Sequence, residues 1–241
     1  MFRNLYAVTM KELKSYFNTP IAYIFIIFLL VSTSVSLFYF QQFLGANVAS
    51  FRGYFSTFPL VFIFLLPALT MRGWAEERKM GTDEILLTLP IKEYDLVLGK
   101  FFGALTLLVL VLFLTIPVPL MLAPLGNFDP GQLAGEYLGA LLLGAAGISI
   151  GLFVSSLAVN QVNSFMFGVL ALLAFTMMGR LQYVLNLPLR LSGILDFISL
   201  DYHFRSFVKG IIDLRDLGYF ILLTFFFLFL NGKVISLRKW G

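Results

Sequence analysis

Residues 71–100, MRGWAEERKMGTDEILLTLPIKEYDLVLGK, form a charged island between two long apolar segments. The island carries eleven charged residues: Arg72, Glu76, Glu77, Arg78, Lys79, Asp83, Glu84, Lys92, Glu93, Asp95 and Lys100. Its residue order predicts a short helix with its own start and stop. Gly81 or Thr82 can cap the N-terminus, and Asp83 and Glu84 place negative charge at the positive end of the helix dipole. Ile85, Leu86 and Leu89 give an apolar face at i, i+1, i+4 spacing, and Pro90 ends the helix because it has no N–H to donate. A second start follows at residues 91–95 and leads through Gly99 and Lys100 into a hydrophobic run. On residue chemistry alone two readings stand. One is a solvated loop whose amphipathic turn rests on lipid headgroups; the other is a segment presented to a partner.

The flanks of the island decide the class. Hydrophobic residues make up 59% of the chain and charged residues 12%, with a mean hydropathy of +0.91. Soluble domains run at about 45–50% apolar and about 25% charged. The expected fold is an all-α integral membrane protein. Six stretches are apolar and long enough to cross the hydrocarbon core, at about 21–44, 54–70, 96–122, 133–158, 162–179 and 217–237. With no Cys, disulfides and thiolate sites are excluded. The net charge of +4 fits juxtamembrane Lys and Arg, and without an arginine-rich block nucleic acid is not expected as a partner.

Ahead of the first span, Phe2, Leu5, Tyr6, Thr9, Met10, Leu13, Tyr16 and Phe17 recur at helical spacing. Arg3, Asn4, Lys11, Glu12, Lys14 and Ser15 fall opposite, and only Val8 breaks the pattern. This predicts an amphipathic helix lying at the interface, cationic side toward anionic lipid. In the first span Ser32, Thr33, Ser34 and Ser36 read as helix packing, and Pro59 and Pro67 mark kinks in the second. In the fourth span Gly135, Gly139, Gly147, Gly151 and Ser155 recur at steps of four or eight, a stripe that lets helices approach closely within or between subunits. Glu136 reads as an interfacial residue touching water rather than as a substrate contact. A second amphipathic interfacial helix is expected over residues 196–210, with Phe197, Leu200, Phe204, Phe207 and Val208 on its apolar face. His203 is the sole histidine and has no cluster of ligating residues around it in sequence, so no metal site is expected.

Basic residues favour one side of the membrane, eleven against six, which predicts that both termini and the island are cytoplasmic. Gly99-Lys100 is no phosphate loop, because residue 94 is Tyr and residue 101 is Phe. No catalytic motif occurs, so the chain is not expected to be an enzyme. The spans are nearly free of the ionisable groups that ion-coupled carriers place at the midplane. A transporter of this composition would have to borrow its energy.

The order Glu76-Glu77-Arg78-Lys79-x-Gly81-Thr82-x-Glu84-x-Leu86-Leu87-Thr88-x-Pro90-Ile91, followed by Gly99-Lys100, resembles the cytoplasmic loop of type-2 ABC exporter permeases. The resemblance extends to the N-terminal helix, the six spans, the exoplasmic helices before the last span and the basic C-terminus. It implies a single permease domain over residues 1–241 in which the island's short helix is a coupling helix docked on a separate ATPase. That role would fall on Glu77, Gly81, Thr82, Asp83, Ile85, Leu86, Leu89 and Pro90. Glu77 is expected to form an exposed ion pair, worth about 0–1 kcal/mol. The implied partners are two copies of an ABC ATPase that carry the ATP and Mg, a second permease copy or paralogue, and an accessory exoplasmic subunit as a further candidate. This chain would hold no cofactor. The implied location is a bacterial cytoplasmic (inner) membrane. The run from Phe207 to Phe220 looks most like permeases of gliding-motility and copper-enzyme maturation systems. The alternative is a membrane anchor or assembly factor that transports nothing.

Overall fold

The computed structural model describes residues 2–40, 50–82, 92–125, 128–185 and 189–240, and the regular elements among them are all helical. In chain order they are α1 (Phe2–Phe17), α2 (Pro20–Val35, continued by one π-helical turn, Ser36–Phe40), α3 (Arg52–Ser56), α4 (Phe58–Thr70) and α5 (Ala75–Lys79). There follow α6 (Glu93–Thr115), α7 (Pro117–Leu122), α8 (Pro130–Leu157), α9 (Gln161–Leu185), α10 (Leu189–Ile198), α11 (Leu200–Val208) and α12 (Leu214–Trp240). Six stretches are long and apolar enough to span a membrane: Pro20–Tyr39, Phe58–Lys79, Glu93–Leu122, Pro130–Leu157, Gln161–Arg180 and Leu214–Arg238. The chain is an all-α membrane protein.

Proline sets several of these boundaries. Pro20, Pro59, Pro117 and Pro130 each stand in the first turn of a helix, where the missing N–H has no intrahelical partner to lose. The expected kink at Pro59 is therefore a helix start, and the second span is interrupted at Thr57 between α3 and α4. Pro67 does lie inside α4, which continues past it to Thr70. Ahead of Pro130, the Asp129 carboxylate accepts from the Gly131 N–H at 2.8 Å and caps α8.

The bundle is organised around α8, which packs against α4, α5, α6, α9, α11 and α12. One helix can touch so many neighbours only if its side chains are small on several faces. A Cβ on Gly139 would run into Phe207, one on Gly144 into Leu108, one on Gly147 into Leu66 and one on Gly151 into Thr70. Gly135 lies against the Gly210 backbone. The whole stripe thus faces neighbours within this chain. In α2 the buried Thr33 and Ser36 hydroxyls pair with Tyr54 at 3.2 Å and Thr57 at 2.6 Å, so they serve packing.

Two ends of the bundle are distinct. At one end α1 lies against the start of α6, the 71–82 segment follows α4, and Gly232 of α12 packs on Tyr94. At the other, Phe51 stacks on Phe128 at 4.6 Å, and α10 and α11 fold over the ends of α8, α9 and α12. Here the expected single helix over 196–210 is two helices that meet at Ser199. Ser199 marks the break: its backbone is extended at ψ 124, and its hydroxyl donates to the Thr176 carbonyl on α9. Of the expected apolar face, Leu200, Phe204, Phe207 and Val208 are buried within the protein, whereas Phe197, before the break, is exposed. Gly210 ends α11 at φ +77, with its own N–H on the Phe207 carbonyl and the Ile211 N–H on Ser206, a Schellman closure that needs a left-handed residue. Glu136 is a further correction. It is fully buried, held by Gln132 at 2.8 Å, because α11 and the loop after it cover the start of α8.

The glycine contacts predict a graded response to substitution. Gly147→Leu and Gly151→Leu should each lower stability by about 1–3 kcal/mol through overpacking. Gly218→Leu should be silent, because a Cβ there meets nothing within 4 Å. Equal unfolding midpoints in detergent for all three variants would rule out the packing described for α8.

Candidate functional site

The site grows from one residue of the charged island. Lys100 stands in the second turn of α6, on a helix that is apolar beyond it, and is only 2% exposed. A buried ammonium is costly unless carboxylates replace its water. Two do. Its Nζ donates to Glu77 Oε1 at 2.8 Å and to Glu12 Oε1 at 2.9 Å, and it lies 4.8 Å from the centre of the Trp74 ring. Lys11 adds a second, exposed cation to Glu77 Oε1 at 3.3 Å. The cluster of Lys11, Lys100, Glu12 and Glu77 is electrically balanced and ties three elements together: α1, the island segment and α6.

Close approach of α1 makes this geometry possible. A Cβ on Gly99 would overlap Val8, and one on Gly103 would come within 2.8 Å of the Glu12 side chain. The lone break in the amphipathic pattern of α1 is thereby explained: Val8 and Glu12, one turn apart, form the face that packs on the α6 glycines. That face is not turned to lipid or water. Beside it Tyr16 is buried, and burial, reinforced by the Glu12 charge, pushes its phenol well above the ordinary range. Lys11, Glu12, Ser15, Tyr16 and Thr19 of the N-terminal segment form one wall of an open cleft of about 180 Å³. Arg72, Glu76, Glu77, Met80 and Lys100 form the other.

A second joint ties the same segment to α8. The N–H groups of Trp74 and Ala75, at the unsatisfied start of α5, both donate to the Ser155 hydroxyl, at 3.1 and 3.3 Å. In return Arg78 donates to the carbonyls of Ser156 and Ala158, which the end of α8 leaves open. The guanidinium also sits at the negative end of the α8 dipole. Each helix end is capped by the other element, so α5 and α8 are positioned as a pair. Ser155 closes the small-residue stripe in sequence, but nothing in the stripe signals a capping role over 80 residues away.

Of the residues expected to couple to a partner, Glu77, Gly81 and Thr82 are described, and Asp83, Ile85, Leu86, Leu89 and Pro90 lie outside the described residues. Gly81 adopts φ +66 and turns the chain at the end of α5. The Thr82 hydroxyl donates to the Glu77 carbonyl at 3.2 Å. Glu77 corrects its expectation: it is 8% exposed and serves the buried ammonium, instead of forming a solvated pair. At the opposite end His203 is fully buried, with Nδ1 2.6 Å from Asp216 and Nε2 2.9 Å from the Phe197 carbonyl. It joins α11 to α10 and α12.

Removing the cation should therefore hurt more than removing one anion. Lys100→Ala leaves Glu12 without a cation and Glu77 with only the exposed Lys11, and is expected to cost about 3–5 kcal/mol. Glu77→Ala leaves Lys100 with Glu12 and should cost less, on the order of 1–3 kcal/mol, yet more than an exposed pair would. Denaturant unfolding in detergent measures both. Wild-type stability in Lys100→Ala would contradict the buried cluster.

Comparison with known proteins bears on the same geometry. Residues 40–230 match the family described as ABC-2 family transporter protein, a stretch that contains the charged island, α8 and the helices of the far end. No curated protein matches the chain. The match covers well over half of the sequence, and the chain belongs to the ABC-2 transporter family.

Proposed function

We propose that this ABC transporter permease is driven by a separate ATPase that docks on residues 82–90 and passes its motion through the α5 joint into the bundle. Membership of the ABC-2 family supports the permease role. The observation that carries the coupling mechanism is the double anchoring of the segment just before the docking site. Lys100 and Glu12 hold Glu77 on one side, and Ser155 and Arg78 lock α5 to the end of α8 on the other. A load applied at residue 82 therefore reaches α1, α6 and α8 together. A solvated loop would absorb the same load in backbone rotation.

In this reading the chain neither binds nor hydrolyses ATP. Two ATPase subunits supply that chemistry, and two permease copies, or a copy and a paralogue, enclose the pathway. Export is the proposed direction, and an accessory exoplasmic subunit is a further proposed partner. The proposed setting is a bacterial inner membrane with α1, the island and the end of α12 in the cytoplasm, in keeping with the excess of basic residues at that end. The family match lends no support to a gliding-motility role.

The docking proposal predicts that Leu86→Glu, which would bury an unpaired charge at the interface, abolishes co-purification of the ATPase while the permease still inserts. Lys209→Glu, on the exposed end of α11, serves as the control. Equal ATPase recovery with the two variants would remove the docking role from this segment. The proposed orientation is checked separately. A cysteine in place of Ser206 should react with an impermeant maleimide added outside the inner membrane, and labelling only after membrane disruption would invert the topology.

A further inference from the structure

The end of the bundle far from the charged island carries a cationic pair that the coupling mechanism does not use. Arg180 closes the fifth span, and Arg205 stands in the last turn of α11. Both reach the same carboxylate oxygen: Arg180 Nε lies 3.2 Å and Arg205 Nη2 2.7 Å from Asp201 Oδ2. Asp201 is buried, but the arginine side chains are 45% and 49% exposed. One carboxylate balances one guanidinium, so the trio keeps a surplus positive charge. Each guanidinium uses one of its five N–H donors on Asp201, and its planar fork matches the geometry of a phosphate.

Directly below Arg180 on α9 the surface is apolar. Leu173 and Met166 follow it at successive steps of seven residues, which keeps all three on one helix face, and Leu170 lies beside them. All three apolar residues are exposed. On α11 Tyr202, three residues before Arg205 and so on its side of the helix, is exposed as well. A charged pair at the end of a span, standing over an uncovered apolar stripe, combines the two chemistries of a lipid.

We propose that α9 and α11 seat an anionic phospholipid, its phosphate bridged by Arg180 and Arg205 and an acyl chain lying along Leu173, Leu170 and Met166. A soluble phosphate would engage only the arginines. A net-neutral lipid would leave the surplus charge uncompensated. The seat lies at a membrane surface whichever face of the membrane that end occupies, so it stands independently of the docking proposal.

Native mass spectrometry of the purified chain tests this with dioleoyl phosphatidylglycerol, dioleoyl phosphatidylcholine and inorganic phosphate as probes. Phosphatidylglycerol should bind about tenfold more tightly than phosphatidylcholine, and millimolar inorganic phosphate should not displace it. Arg180→Gln, which leaves Arg205 to pair Asp201, should weaken phosphatidylglycerol binding about fivefold, and Leu173→Gln should weaken it as well. If Arg180→Gln is poorly folded by thermal unfolding without lipid, Arg180→Lys keeps the charge but loses the fork, and reduced binding is again expected. Wild-type binding in the folded arginine variant would overturn the proposal, as would displacement by inorganic phosphate, which would leave an anion site only. A disulfide between two copies of Leu173→Cys would overturn it too, by placing a second copy on the stripe.

Discussion

The buried Lys100 ammonium is the constraint on which the geometry of the charged end depends. An amine this far from water is tolerable only with carboxylates at hydrogen-bond distance, and the chain supplies them from two places, Glu12 and Glu77. Neither comes from α6 itself. The pair can form only if α1 lies on α6 and the segment after α4 turns back over both. Gly99 and Gly103 allow the first by removing the side chains that would hold α1 away. Trp74 covers the ammonium and completes the burial. The electrostatic demand of one side chain thus dictates the placement of two elements.

At the other end of the island segment the constraint is hydrogen bonding. Helix ends expose N–H and C=O groups that must find partners when water is scarce. The start of α5 and the end of α8 meet and satisfy each other, through Ser155 in one direction and Arg78 in the other. Because α8 touches most of the bundle through its glycines, this joint connects the charged segment to helices as distant as α11 and α12. Close packing makes such a connection stiff. A helix displaced within a close-packed interior moves its neighbours.

The two ends solve different problems with similar means. At the charged end, Lys100 is buried between Glu12 and Glu77, and the exposed Lys11 brings the cluster to balance. At the far end, α10 and α11 are fastened by buried polar contacts of their own, His203 with Asp216 and the Phe197 carbonyl, and Tyr219 with the Ile198 carbonyl at 2.5 Å. What differs is the remainder. The Arg180–Asp201–Arg205 trio leaves a net charge over apolar surface, and the Lys100 cluster leaves none.

Much of this protein was legible in one dimension. Twenty apolar residues in a row cross a membrane whatever their neighbours, so composition and hydropathy determined the class and the number of spans. The glycine spacing of α8 and the amphipathic pattern of residues 200–208 likewise report on a single helix, and periodicity captures them. The ordered charged island carried the family likeness, which the match over residues 40–230 supports. The helix break at Ser199, whose hydroxyl bonds a carbonyl of α9, was not legible in the apolar spacing, which runs on through it. Nor was the burial of Glu136, which depends on α11 and the loop that follows lying over α8. Glu77 shows the limit most plainly. In sequence the family resemblance singles it out as a coupling residue in a hydrophilic loop, but nothing in its chemistry marks it as more buried than Glu76 beside it. Only the fold brings Lys100, 23 residues later, and Glu12, from the other end of the chain, to the same point. Local pattern determines which helices form and which faces are apolar; which charge is buried against which is decided by distance in space, and that exists only once the helices have packed.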